Sequence, residues 1–108
     1  MLCIYHIADH DGKASGAVVK SVYPQISLLG LNHDMPIPRE EIERHELVVV
    51  CDFALPVKYM FELSRKIDFV WIDHHASVIN EYEALLAAGE KPIKGLRRIG
   101  TAASVLAW

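Results

Sequence analysis

The sequence predicts an α/β domain: a three-layer sandwich with a mainly parallel sheet of four to five strands covered by helices on both faces. Three observations predict it. Runs such as LVVVCD and DFVWID are almost continuously apolar, as strands buried on both faces must be. Segments with apolar residues at helical spacing separate these runs. Proline or glycine marks several of the junctions, giving the order β-α-β-α-β-α-β-α.

Each element has its own justification. Residues 2–8, LCIYHIA, read as a buried strand. The turn HDG leads into a helix from about Lys13 to Tyr23, stopped by Pro24. Ala14, Ala17, Val18 and Val22 fall at helical spacing and are expected to face the sheet. ISLLGL is the second strand, and NHDMPIP a loop with two prolines. A short acidic helix follows from Arg39 to Arg44, with Glu40 and Glu41 in the first turn, where the helix dipole favours them. LVVVCD is the third strand. Pro56 suits the first turn of a helix whose Val57, Met60, Phe61, Ser64 and Ile67 trace one face. DFVWID is the fourth strand. Ser77 is expected to cap a helix carrying Ile79, Tyr82, Leu85 and Leu86 and ended by Gly89. IKGLRRI reads as a last short strand, and GTAASVLAW as the start of a further helix.

Composition narrows the function classes. A chain of 108 residues suits one small domain with a single core, and no repeat, linker or low-complexity segment interrupts it. The formal charge of −3 argues against a broad, non-specific grip on nucleic acid, although KPIKGLRR (Lys91, Lys94, Arg97, Arg98) forms a local basic run. That run reads either as a solvated face or as a backbone contact. No apolar run approaches the roughly 20 residues of a membrane helix, and MLCIYHIADHD lacks the basic start of a signal peptide. Cys3 and Cys51, far apart and inside strand-like runs, read as reduced core thiols of a cytoplasmic protein.

The chemistry concentrates at strand ends. The first strand runs into Asp9 and Asp11, the third ends at Asp52, and the fourth ends at Asp73, His74 and His75. In an open parallel sheet the functional crevice lies at the carboxyl ends of the strands. Each residue alone has a plain reading: an aspartate after a strand is often a turn or cap residue, and a lone histidine such as His6 is often a core residue. Together they bring several carboxylates and imidazoles to one edge, where unpaired acids would repel one another. A divalent ion removes that repulsion. A donor set of mostly carboxylate with some imidazole favours Mn(II) or Mg(II) over structural zinc, and acids converging from separate strands suit two metals sharing a bridging carboxylate. His10, His33 and His45 read as surface or loop residues.

HIADHDGKAS, VVVCDF, WIDHHAS and GTAASV, in this order, resemble the four successive motifs of the DHH phosphoesterase superfamily, named for the triplet present here as Asp73–His75. DHDGKAS is closer to the RecJ-like exonuclease and oligoribonuclease branch than to the pyrophosphatases. The resemblance implies a manganese-dependent phosphoesterase that cleaves phosphodiesters or phosphomonoesters of short single-stranded nucleic acid or nucleotides through a hydroxide held between two metals. It implies that His6 and Asp9 hold one metal, that Asp11 and His74 hold the other, and that Asp52 bridges them. His75 would contact the phosphate and Asp73 would orient its neighbours, making these the two residues of catalysis. Gly12 would let the backbone turn beneath the site, and Gly100, Thr101 and Ser104 would offer a phosphate the start of the last helix. His6 stands two residues before Asp9, where many members have three. The family also places a further acidic ligand and a C-terminal substrate-binding domain downstream. Residues 1–108 therefore match the N-terminal portion of such an enzyme, expected to be weakly active or inactive alone and to work with a C-terminal domain or a second copy. The alternative is a non-catalytic module that binds a nucleotide or partner and retains only the fold.

Overall fold

A computed structural model describes residues 1–8 and 10–97. Four parallel strands, β1 (Leu2–His6), β2 (Ser27–Leu31), β3 (Leu47–Cys51) and β4 (Asp68–Ile72), form one sheet in the order β2-β1-β3-β4. Four helices connect and follow them: α1 (His10–Val22), α2 (Arg39–Glu43), α3 (Val57–Lys66) and α4 (Ala76–Ala87). The fold class read from the sequence is the one observed.

Strand alternation sorts the core into two layers. Leu2, Ile4, Val48, Val50, Phe69 and Trp71 face one side and pack with Ile42 of α2, with Met60, Phe61 and Leu63 of α3, and with Tyr82 of α4. Cys3, Val49, Cys51 and Ile72 face the other side, where Val19 of α1 and Ile26 cover them. Trp71 is fully buried, and its indole N–H donates to the Phe53 carbonyl at 3.0 Å, satisfying the one polar atom that so large a side chain brings inside. The two cysteines are buried free thiols. A hydrogen bond with Cys3, together with burial, pushes the Cys51 thiol well above its ordinary pKa.

Several elements differ in detail from expectation. Helix α1 begins at His10, not Lys13, so Asp11 and Gly12 belong to its first turn and not to a preceding loop. Its buried face is Gly12, Ser15, Gly16 and Val19, whereas Ala14, Ala17 and Val22 are exposed and Val18 is half-buried. Small residues let this helix lie close to β1. A Cβ on Gly12 would stand 2.2 Å from the His6 carbonyl oxygen, so close approach, not a sharp turn, requires glycine there. Ser77 is not the cap of α4. The N-cap is His75, no side chain caps the helix, and Ser77 lies in the first turn. The far end is as read: Gly89 takes φ +112°, and the N–H groups of Gly89 and Glu90 return to the carbonyls of Leu86 and Leu85 in a Schellman motif. Pro56 stands one residue before α3 as its N-cap.

Of the expected last strand, Lys94 and Arg97 form isolated parallel bridges to Val70 and Asp73 at the edge of β4. Arg97 does not project as a free cation. Its guanidinium donates to the Trp71 carbonyl at 2.8 Å and to the Tyr82 hydroxyl at 3.2 Å, and lies over both rings. Lys94 pairs with Asp68 at 2.9 Å. The basic run is thus partly consumed in holding the sheet edge. The expected helix after Gly100 lies outside the described residues. No described helix is long and apolar enough to cross a membrane.

Candidate metal centre

All four strands point their carboxyl ends to one edge of the sheet, and β1, β3 and β4 are consecutive neighbours there. Adjacent parallel strands lie ~4.8 Å apart, so residues just past their ends are delivered within side-chain reach of one another.

Asp52 is the first residue past β3. Its amide donates to the Ile72 carbonyl at 3.0 Å, extending the ladder by one bond, and its φ of +53° then turns the chain sharply. Aspartate tolerates the left-handed region better than most residues, yet such geometry is uncommon and concentrates where a side chain must be aimed. Here it leaves the carboxylate fully buried, with Oδ1 2.8 Å from His74 Nε2 and 3.7 Å from His75 Nε2. Asp73, also fully buried, follows β4. Its Oδ1 accepts from the His74 amide at 2.8 Å and meets His75 Nδ1 at 2.6 Å, fixing both the backbone and the imidazole of the residues after it. Asp11 reaches in from the first turn of α1, with Oδ2 3.3 Å from His74 Nε2.

One potential ligand atom from each of Asp52, Asp73, His74 and His75 falls in a group whose members all lie within 4.8 Å of one another. Three of the five ligands expected from the sequence, Asp11, Asp52 and His74, thus meet directly. The two residues given other roles, Asp73 and His75, stand in the same cluster. Asp9, Gly100, Thr101 and Ser104 lie outside the described residues.

His6 ends β1 at the same edge but is held by a residue that sequence reasoning missed. Asn32, just past β2, has its Oδ1 2.9 Å from the His33 amide and 3.0 Å from His6 Nε2. A backbone N–H only donates, so the atom facing it is the amide oxygen; that oxygen only accepts, so His6 carries its proton on Nε2. The lone pair then sits on Nδ1, a buried atom with no hydrogen-bond partner among the described residues. Asp73 Oδ2 is likewise buried without one among them. A buried lone pair lacking a partner is costly unless something else occupies it. The carboxylate and imidazole donor set fits a divalent ion and Asp73 belongs to it, whereas His6 is not among the residues whose ligand atoms converge. Their place directly after β2, at the carboxyl edge of the sheet, was the available signal for Asn32 and His33. Both are loop residues, as expected, and a loop placement does not by itself reveal what Asn32 contacts. His33 also packs its ring on Phe53, with centroids 4.8 Å apart, and lies 5.2 Å from His6.

Compared with protein-family models, with curated proteins and with solved structures, the chain matches none.

Proposed function

We propose that the chain is a metal-dependent phosphoesterase domain of the DHH type, acting on short single-stranded nucleic acid or nucleotides with Mn(II), or Mg(II) in its place. The observation that carries this reading is the convergence of Asp52, Asp73, His74 and His75 within 4.8 Å at the carboxyl edge of a parallel sheet. The ordered motifs in the sequence support it independently.

In this reading Asp11, Asp52, His74 and the Nδ1 lone pair of His6 would hold the ions, with Asp9 as a further ligand. When bound, such ions supply Lewis acidity toward the phosphoryl oxygens and a water activated for attack. The protein's own residues supply position and protons. Asp73 fixes His75 through the 2.6 Å contact at Nδ1, which leaves Nε2 of the half-exposed ring available to a phosphate oxygen or leaving group. Asp73 is thus a positioning residue, and His75 the group that touches substrate. Asp52, buried and rigidly aimed, keeps its carboxylate in place without reorganisation.

The test is hydrolysis of a labelled dinucleotide, a nucleoside bisphosphate and pyrophosphate, each with and without Mn(II). Slow turnover of the first two is expected, dependent on Mn(II) and reduced at least tenfold in His75→Ala. Turnover that ignores Mn(II), or that His75→Ala leaves intact, counts against the assignment. The second reading, a non-catalytic binding module, draws on the direct 2.8 Å contact of His74 with Asp52, which ties two expected ligands to each other. Nucleotide binding that is tight and indifferent to Mn(II), with no turnover of any substrate, would favour it.

A further inference from the structure

A cavity of about 440 Å³ lies between the loop after β2, the turn after β3, the start of α3, and Val78 and Glu81 of α4. This volume is typical of a small-ligand site. Its walls include Ile37, Leu55 and Val57, the aromatic residues Phe53 and His33, and two residues of opposite charge, Lys58 and Glu81. Lys58 forms no ion pair with the described residues. Phe53 follows Asp52 directly, so wall and cluster are consecutive in the chain. His33 is tied to His6 through Asn32, whose Oδ1 serves both residues. An apolar slot with ring walls, one residue along the chain from a site rich in metal ligands, suits a planar ring whose anionic group reaches that site.

We propose that this cavity takes the heterocyclic base of a nucleotide whose phosphate lies at the Asp52–His74–His75 cluster, an inference that rests on the phosphoesterase reading above. The exposed outer face of the His33 ring, backed by Phe53, offers the stacking surface. Stacking tolerates every base, because each has a π-face, and it adds no demand for a particular hydrogen-bond pattern. The subsite would therefore favour nucleotides over sugar phosphates while discriminating weakly among bases.

The test uses the chain with labelled methyl groups, titrated with adenosine 5′-monophosphate, ribose 5-phosphate and inorganic phosphate, each with and without Mg(II). The nucleotide should shift the methyl signals of Ile37, Leu55 and Val57 and bind about tenfold more tightly than the sugar phosphate. His33→Ala, at an exposed loop position, should remove most of that advantage and leave the binding of inorganic phosphate unchanged. Equal affinity for nucleotide and sugar phosphate, with those methyl signals unmoved, overturns the subsite even if phosphate binding depends on the metal. Base-dependent shifts at these methyls without any metal-dependent phosphate binding would uphold the subsite and sink the phosphoesterase reading instead.

Discussion

His74 Nε2 lies 2.8 Å from Asp52 Oδ1, so the second residue past β4 meets the first residue past β3 side chain to side chain. Asp52 reaches this position only through its positive φ. Glycine adopts that backbone without strain, whereas alanine must bear roughly 1 kcal/mol or more. Asp52→Gly should therefore be more stable than Asp52→Ala by about 1 kcal/mol, reversing the order expected in an ordinary strand or helix. Urea midpoints of the two variants measure it, and the opposite order would show that the turn relaxes.

Asn32 should control the His6 tautomer. Asn32→Leu removes the acceptor facing Nε2, leaving a buried N–H that costs about 1–3 kcal/mol when unpaired. The ¹⁵N shifts of the His6 ring should move away from the pure Nε2–H pattern, and Mn(II) affinity should fall by roughly 10–100-fold, as when other partners of ligating histidines are lost. Asn32→Asp keeps an acceptor and should retain the tautomer. An unchanged ¹⁵N pattern in Asn32→Leu would remove Asn32 from the site.

Close approach at Gly12 and positive φ at Gly89 give different penalties. Gly12→Ala places a Cβ 2.2 Å from a backbone oxygen, which α1 can avoid only by lifting off β1. Overpacking of this kind costs about 1–3 kcal/mol, sometimes more. Because Asp11 sits on the same helical turn, metal affinity should fall with stability. A Cβ on Gly89 meets nothing within 4 Å, so Gly89→Ala should lose only about 1 kcal/mol through its φ and leave metal affinity alone. Equal effects of the two variants on metal binding would contradict this distinction.

Alkaline pH should weaken the packing of α2 on α3. The Tyr59 hydroxyl donates to Glu43 at 3.1 Å, and burial with this neighbouring carboxylate pushes its pKa up to about 12. In the unfolded chain a tyrosine ionises near pH 10. The folded form thus holds its proton more tightly, and this contribution to stability is full below about pH 10 and lost as pH climbs toward 12. Tyr59→Phe should lower stability by about 1 kcal/mol at neutral pH and flatten the decline between these limits. Denaturation curves at neutral pH and above pH 10 check both parts.

How much of this was legible in the sequence varies with the physics. The sheet was readable because β3 and β4 are buried on both faces, which forces near-continuous apolar runs such as Val48, Val49 and Val50. The inward face of α1 was not, because it is built from Gly12, Ser15 and Gly16, which carry no apolar signal. Their smallness, which permits contact with β1, matters there more than their hydropathy. The start of α4 was misplaced because a serine near a helix start usually caps it. Here His75 takes the N-cap position while its ring turns to Asp73. The strand-end acids were visible as chain-order regularities, but no spacing rule reveals that Asn32 reaches back to His6, 26 residues away.

The most direct measurement is the thermal stability of the folded chain at neutral pH as Mn(II) is added, in the wild type and in Asp52→Asn. Asparagine keeps the side-chain shape and tolerates the backbone at this position, so the variant should fold. Ions held by the folded chain alone raise its stability by about 1.4 kcal/mol at tenfold over Kd, or roughly 5 °C or more in a domain of this size. A rise of that order in the wild type, lost in Asp52→Asn and in His74→Ala, is the expected result. No rise at millimolar Mn(II), or an equal rise in all three proteins, would show that the cluster at the sheet edge is not a metal centre.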